Sequence, residues 1–157
     1  MEGKFKQSMG RYKLLNFYAP YKDRELFWQP IIDSGLLCEE GLIVGGDLKF
    51  TLIDREVWGE HARSDPLAYF FSRIVLSSSL VNIQPIKLAP TWRNGKARKT
   101  CISKIFDHFL LNESLLRTHK RIRSWVINSS ISDHNSICLQ LEMSSHIRAP
   151  PFKFNNS

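Results

Sequence analysis

A short apolar run that ends in two glycines and an aspartate constrains the fold of this chain more than any other feature. Residues 42–44 (Leu-Ile-Val) are followed directly by Gly45, Gly46 and Asp47. Because the apolar residues are consecutive rather than alternating, they predict a strand that is buried on both faces. Layered α/β folds contain such strands, and their clefts lie at the carboxyl ends of the strands. Asp47 is therefore expected at the edge of a cleft.

A helix with one apolar face is predicted after this strand. Ser64 and Asp65 can cap it, and Pro66 suits a first helical turn. Apolar residues then recur at the helical spacing i, i+3, i+4, i+7 and i+8, which gives a single stripe. These residues are Leu67, Phe70, Phe71, Ile74 and Val75. We interpret the stripe as part of the core.

The other segments alternate between strands and helices. Strands are predicted at 12–18, 80–83, 102–111, 121–127 and 136–142, the last from its alternating pattern. Asp23 is expected to cap a helix that Pro30 kinks or shortens, and a turn or short helix is expected at 112–116. This alternation predicts an α/β or α+β sandwich.

The composition fits one soluble globular domain. The chain has 157 residues, of which 43% are hydrophobic and 24% charged, and no window approaches the ~18 apolar residues of a membrane helix. The first residues lack the apolar segment of a secretory signal. Cys38, Cys101 and Cys138 suggest neither a zinc site nor a disulfide framework, so a reducing compartment is expected. The formal charge of +7 favours a polyanionic partner, with solubility as the plainer interpretation.

Four short polar clusters lie at expected strand ends or in the loops between them. They contain Tyr18, Asp47, Asp107 and the pair Asp133-His134. Carboxylates from separate strand ends can converge on one cleft, hold magnesium and activate water. A histidine beside them can be held by one carboxylate and can contact a phosphate oxygen. Ordinary turn and loop chemistry explains each cluster equally well when it is taken alone.

Taken in order, these motifs resemble the endonuclease/exonuclease/phosphatase superfamily, which has the DNase I-like fold. The motifs are FYAP, GGD, a helix, PTWRN, a strand carrying an aspartate, and SDH. They are similar in particular to the endonuclease domain of plant LINE-type retrotransposons, over residues 14–142. The resemblance implies a two-sheet sandwich flanked by helices, lacking its first strands. It also implies hydrolysis of DNA phosphodiesters with magnesium as cofactor.

The resemblance assigns a role to each candidate residue. Tyr18 would support the phosphate in the transition state, and Asp47 would orient or deprotonate the attacking water. Asp107 would hold His134, which would contact the scissile phosphate, and Asp133 would help to bind magnesium. The residues implied to contact nucleic acid are Trp92, Arg93, Asn94 and Lys49.

Three departures from the family's pattern predict impaired or absent activity. Lys49 stands where the family has an asparagine, and a lysine can donate hydrogen bonds but cannot accept them. One residue is inserted before Asp107, so this side chain reaches the cleft only if a bulge absorbs the insertion. An earlier segment with an asparagine and a metal-binding glutamate is expected to be missing. A weak magnesium site, low stability and self-association through exposed sheet edges are therefore predicted.

Two alternative functions stay open. One is a non-catalytic, retrotransposon-derived remnant that binds nucleic acid or partners. The other is a phosphatase of the same superfamily, against which the basic residues around Trp92 argue mildly. We predict a partial domain over 1–143 and a tail over 144–157 that resembles the linker toward a reverse transcriptase. An intracellular location is expected, and the resemblance implies the nucleus.

Overall fold

The computed structural model describes residues 2–3, 12–96 and 98–143. The tail at 144–157 lies outside the described residues, so the domain boundary stays a prediction. Within the described ranges, the helices are α1 (Arg24–Asp33), α2 (Ala68–Ser77) and α3 (Glu113–Thr118). The strands are β1 (Glu2–Gly3), β2 (Tyr12–Tyr18), β3 (Leu42–Asp47), β4 (Val57–Trp58), β5 (Leu80–Asn82), β6 (Trp92–Arg93), β7 (Ser103–Lys104), β8 (Asp107–Asn112), β9 (His119–Ile127) and β10 (Ser136–Met143).

A five-stranded sheet with the order β1-β2-β3-β8-β5 forms the centre of the protein. β2 and β3 are parallel, whereas β8 is antiparallel to β3 and to β5. The prediction of a strand buried on both faces is confirmed for β3. Leu42 and Val44 pack with Trp28 of α1 and Phe71 of α2, and Ile43 packs on the opposite face.

A two-stranded antiparallel sheet, formed by β9 and β10, covers the face of the central sheet opposite α1 and α2. Apolar side chains from both sheets meet there in one cluster: Tyr12, Ile43, Phe109, Leu111, Ile122, Leu139 and Leu141. A third small sheet has the order β4-β7-β6. The predicted mixed α/β sandwich is therefore confirmed, with β9 and β10 as its second layer.

The predicted continuous strand at 102–111 is wrong, because two strands of different sheets occupy it. β7 pairs with β4 and β6, whereas β8 pairs with β3 and β5 in the central sheet. Ile105 and Phe106 lie between them, buried, and their backbones bond to neighbouring segments. Asp107 therefore begins β8 rather than lying inside a continuous strand.

The predicted helices are present, and α1 starts directly after Asp23, although the Asp23 side chain makes no capping hydrogen bond. α2 begins at Ala68, after a turn in which the Asp65 carboxylate accepts the backbone N–H of Leu67 at 2.9 Å. α1 continues past Pro30 as far as Asp33, and α3 is the short helix expected near 112–116. None of the helices in the described part of the chain has the length and hydrophobicity of a membrane-spanning segment.

A buried ion pair joins α1 to the turn before α2. Arg24 donates from Nη1 to Oδ2 of Asp65 at 2.6 Å and from Nη2 to Oδ1 at 2.8 Å. Nη1 also donates to the backbone carbonyl of Lys49 at 2.7 Å. Asp65 accepts further hydrogen bonds from the backbone N–H groups of Thr51 and Leu67. Arg24 therefore fixes the loop that follows β3, and the sequence pattern marks Asp65 only as a helix cap.

Candidate active site

Three of the candidate residues lie side by side at one end of the central sheet. β2 and β3 run parallel, so their carboxyl ends meet there, and Tyr18 is the cross-strand neighbour of Asp47. β8 starts at the same edge because it is antiparallel to β3, which places Asp107 directly opposite Asp47. Tyr18 is 79% exposed, whereas Asp47 is only 6% exposed. The strand register therefore places Asp107 at the same edge as Tyr18 and Asp47.

The glycine before Asp47 lets β3 lie close to β2. Gly46 has φ +114°, a conformation that L side chains rarely adopt. A Cβ atom at Gly46 would lie 2.2 Å from the backbone oxygen of Phe17 and 2.5 Å from Oδ1 of Asn16. Only glycine fits this contact without movement of β2. Gly46 therefore sets the position of Asp47 at the strand end.

His134 comes from the loop between β9 and β10 and lies between the two carboxylates. Its Nδ1 is 3.0 Å from Oδ2 of Asp107, and its Nε2 is 3.4 Å from Oδ2 of Asp47. The backbone N–H of Asn135 donates to the carbonyl of Thr91 at 2.7 Å, which ties this loop to the segment before β6. The side chain of Thr91 accepts the backbone N–H of Asp107 at 3.0 Å. Thr91 thus holds both partners of the histidine–aspartate contact.

Burial raises the pKa of Asp107, although hydrogen bonds from Thr91 and His134 act to lower it. The folded protein then binds more protons than the unfolded chain between about pH 4, where a free aspartate titrates, and the raised pKa. The free energy of unfolding therefore falls as the pH rises through this window. We expect Asp107→Asn to be more stable than the wild type at pH 7, with the difference vanishing below pH 4. Urea denaturation at both pH values measures this, and a less stable variant at pH 7 would contradict it.

Lys49 extends the site in a way that its sequence position does not reveal. Its Nζ lies 2.5 Å from Oδ2 of Asp47. The ammonium group also lies 5.2 Å from the ring centroid of Tyr18 and 5.5 Å from that of Phe106. Neither oxygen of Asp47 has a hydrogen bond of good geometry from the described residues. The short contact with Lys49 is therefore an ion pair, and Oδ1 of Asp47 keeps its acceptor capacity.

The other candidate residues lie beside this cluster. Asp133 is exposed, and its Oδ2 accepts the indole N–H of Trp92 at 3.0 Å. Arg93 is exposed, and its backbone N–H donates to the carbonyl of Asp133 at 3.0 Å. Asn94 braces its own loop, since its amide bonds to the backbones of residues 96, 100 and 102. Magnesium binding by Asp133 and nucleic-acid binding by Trp92, Arg93, Asn94 and Lys49 stay predictions.

A group formed by Asp47, Asp107 and His134 could hold a metal ion, because one ligand atom from each lies within 4.8 Å of the others. Its donors are two carboxylate oxygens and an imidazole nitrogen. Magnesium prefers oxygen ligands in octahedral geometry, whereas imidazole suits transition metals. Lys49 already contacts Asp47, and Asp133 is not part of the group. The described residues therefore fit magnesium poorly.

Two residues that support the site carry no strong signal in the sequence. Thr91 stands inside PTWRN, but nothing there indicates that its hydroxyl accepts backbone N–H groups from a strand. Arg24 is one of many basic residues, and its contacts with Asp65 and Lys49 span 41 and 25 positions along the chain. Such long-range contacts cannot be found from local spacing.

The fold matches that of solved nucleases. No family model matches the chain, and no curated protein matches it by sequence. The endonuclease domain of TRAS1, a telomere-specific non-LTR retrotransposon, superposes with a TM-score of 0.65 at 15% identity, covering 89% of this chain and 62% of that domain. The 3'-5' exonuclease NExo from Neisseria meningitidis gives a TM-score of 0.63 at 17% identity, covering 83% of this chain and 61% of the exonuclease.

A third structure, the 3' phosphatase NExo from Neisseria bound to a product DNA hairpin, gives a TM-score of 0.61 at 15% identity. It is covered over 62% of its length, with 85% of this chain aligned. This chain therefore spans less than two thirds of the length of each of these proteins. At these identities the comparison establishes the fold, which is the DNase I-like endonuclease/exonuclease/phosphatase fold.

Proposed function

We propose that this chain is a hydrolase that cleaves phosphodiester bonds in DNA. The observation that carries the proposal is the position of His134, whose two ring nitrogens face the carboxylates of Asp107 and Asp47 at 3.0 and 3.4 Å. This arrangement lies at the carboxyl ends of two parallel strands, in a fold shared with nucleases. A polar cluster of this kind has the groups that phosphodiester hydrolysis needs, namely a base for water and a donor for the phosphate.

Each residue has a role that its contacts support. Asp107 orients the imidazole through Nδ1, which leaves the Nε2 side of the ring directed toward Asp47. Oδ1 of Asp47 is buried and lacks a hydrogen-bond partner among the described residues, so the attacking water must enter the site before this oxygen can accept its hydrogen bond. His134 then contacts a phosphate oxygen. The exposed hydroxyl of Tyr18 lies at the same strand end and donates to the phosphate.

Turnover and magnesium affinity are both expected to be low. Lys49 neutralises part of the charge on Asp47, which lowers its attraction for a divalent cation. Asp133 stays a proposed magnesium ligand through the oxygen that does not accept from Trp92. We therefore propose an impaired enzyme, with a binding-only remnant as the alternative. We also propose that the chain acts in the nucleus.

Binding of DNA is proposed to use the segment around Trp92. Arg93, Lys96 and Lys99 are exposed there, beside an aromatic ring, and the chain carries a formal charge of +7. Basic residues that pair with phosphates release counterions, so binding should weaken as the salt concentration rises. Aromatic rings can stack on bases without regard to sequence.

A phosphatase that acts on phosphomonoesters is the second candidate. One structure with the same fold is described as a 3' phosphatase, which is the observation that favours it. The two activities are separable by substrate. A phosphodiesterase nicks supercoiled plasmid, whereas a phosphatase releases inorganic phosphate from a 3'-phosphorylated oligonucleotide and leaves the plasmid intact.

The first test is the nicking of supercoiled plasmid by the full chain, with and without magnesium. We expect His134→Ala and Asp47→Ala to lower the nicking rate at least about a hundredfold, since a positioned acid or base contributes 10²–10⁴-fold. His61→Ala is the matched control, because His61 is exposed and lies outside the cluster. Nicking that persists equally in both site variants would come from another protein and would overturn the proposal.

A further inference from the structure

The side chain of Lys49 is nearly buried inside the candidate site. Lys49 is 9% exposed, although lysine is among the residues most rarely buried unless they are paired. Its partner is Asp47, with Nζ 2.5 Å from Oδ2. Asp47 is also nearly buried, and its second oxygen, Oδ1, has no hydrogen-bond partner among the described residues. The ion pair with Lys49 is thus the main contact that offsets the cost of burying the Asp47 carboxylate away from solvent.

The surroundings hold this ammonium group in place. The rings of Tyr18 and Phe106 lie 5.2 and 5.5 Å from Nζ, within the range of cation–π attraction. The backbone at Lys49 has φ +55°, a left-handed conformation that is uncommon for residues other than glycine, asparagine and aspartate. Arg24 donates to the carbonyl of Lys49 at 2.7 Å, which fixes that conformation from the other side. The left-handed backbone at Lys49 therefore carries a conformational cost, and it directs the lysine side chain toward Asp47.

We propose that Lys49 is a resident cation of this site. Its ammonium group takes the cation position on Oδ2 of Asp47, and a divalent ion binds the group of Asp47, Asp107 and His134 only by displacing it. The charge balance supports this, because one ammonium charge already offsets one of two neighbouring carboxylates. The inference rests on the proposed function only in treating these residues as an active site, because cation binding is measured without DNA.

Calorimetric titration of the full chain with Mn²⁺ tests this proposal. Lys49→Met removes the charge and keeps most of the side-chain length, and Lys49→Asn introduces a residue that tolerates φ +55° better. We expect both variants to bind Mn²⁺ at least about tenfold more tightly than the wild type, because a competing cation is gone. Lys22→Met is the matched control, since Lys22 is exposed, and its affinity should equal that of the wild type. Equal or weaker Mn²⁺ binding by the Lys49 variants would overturn the proposal.

A second measurement avoids the risk that Lys49 variants fail to fold. Reductive methylation of the wild type, followed by peptide mass spectrometry, gives the reaction rate of each lysine. Lys49 should react far more slowly than Lys22, and Asp47→Asn should make Lys49 reactive because the ion pair is lost. Equal rates for Lys49 and Lys22 in the wild type, or no change in the Asp47→Asn variant, would overturn the proposal. Neither measurement depends on nicking, so an inactive chain would refute the proposed function alone.

Discussion

Arg24→Ala is expected to lower the free energy of unfolding by about 3–5 kcal/mol, because it leaves a buried carboxylate without its ionic partner. The side chains of Arg24 and Asp65 are 15% and 3% exposed, and the two hydrogen bonds between them are 2.6 and 2.8 Å long. Without Arg24, the hydrogen bonds that Asp65 keeps within the described part of the chain come from the backbone N–H groups of Thr51 and Leu67. Urea denaturation at pH 7 measures the loss.

An exposed ion pair provides the control for Arg24. Arg117 and Glu113 on α3 are 3.4 Å apart and have side-chain exposures of 79% and 52%. Arg117→Ala should change the free energy of unfolding by less than about 0.5 kcal/mol, as surface pairs of this spacing usually do. Losses of similar size for Arg24→Ala and Arg117→Ala would contradict the buried-pair argument.

The effect of Arg24→Ala should also depend on pH. Burial acts to raise the pKa of Asp65, but the hydrogen bonds and charge of Arg24, together with the N–H groups of Leu67 and Thr51, hold it below its ordinary value. A carboxyl whose pKa is lowered by folding stabilises the protein above its unfolded pKa, about 3.9, and loses this contribution as the pH falls through its folded pKa. The difference between wild type and variant should therefore shrink below pH 4.

Gly46→Ala is expected to destabilise the protein by about 3 kcal/mol or more and to remove whatever activity the site has. The new Cβ would lie 2.2 Å from the backbone oxygen of Phe17, so β2 and β3 would have to separate. Since Asp47 follows directly, its carboxylate would shift relative to His134. Thermal unfolding and the nicking assay report the two effects.

Gly95→Ala is the matched control for Gly46→Ala. Gly95 also has a positive φ, +65°, but a Cβ there would meet nothing within 4 Å. Its cost should be limited to the conformational penalty of about 1–2 kcal/mol. If the two alanine variants are equally stable, the close approach of β2 to β3 does not constrain position 46.

Much of the central sheet could be predicted from residue patterns, because buried positions are apolar and recur with the period of the strand or helix. The consecutive apolar residues of β3 report a strand covered on both faces, and the helical spacing from Leu67 onward reports one buried face of α2. The end of a strand in sequence is also its end in space. For that reason the ends of the strands at 12–18 and 42–47 predicted where Tyr18 and Asp47 lie, whereas Asp107 reaches the same edge because β8 begins there and not at 102.

Features that depend on contacts between distant segments could not be predicted. The apolar character of 102–111 does not reveal that the chain changes sheets at Ile105 and Phe106, because both halves are buried. Lys49 is two residues after Asp47, a spacing that normally places side chains on the same side of an extended strand. The strand has ended there, and the left-handed backbone at Lys49 sets the direction of its side chain instead. Only the folded geometry identifies the ion pair.

The candidate cluster draws its members from two different layers of the protein. Tyr18, Asp47 and Asp107 belong to the central sheet, whereas His134 lies in the loop between β9 and β10 of the covering sheet. A transient opening that lifts the covering sheet would separate the imidazole from both carboxylates while the central sheet stays folded. Such sub-global openings cost less free energy than complete unfolding. Assembly of the cluster therefore requires the β9–β10 hairpin to be docked as well as the central sheet to be folded.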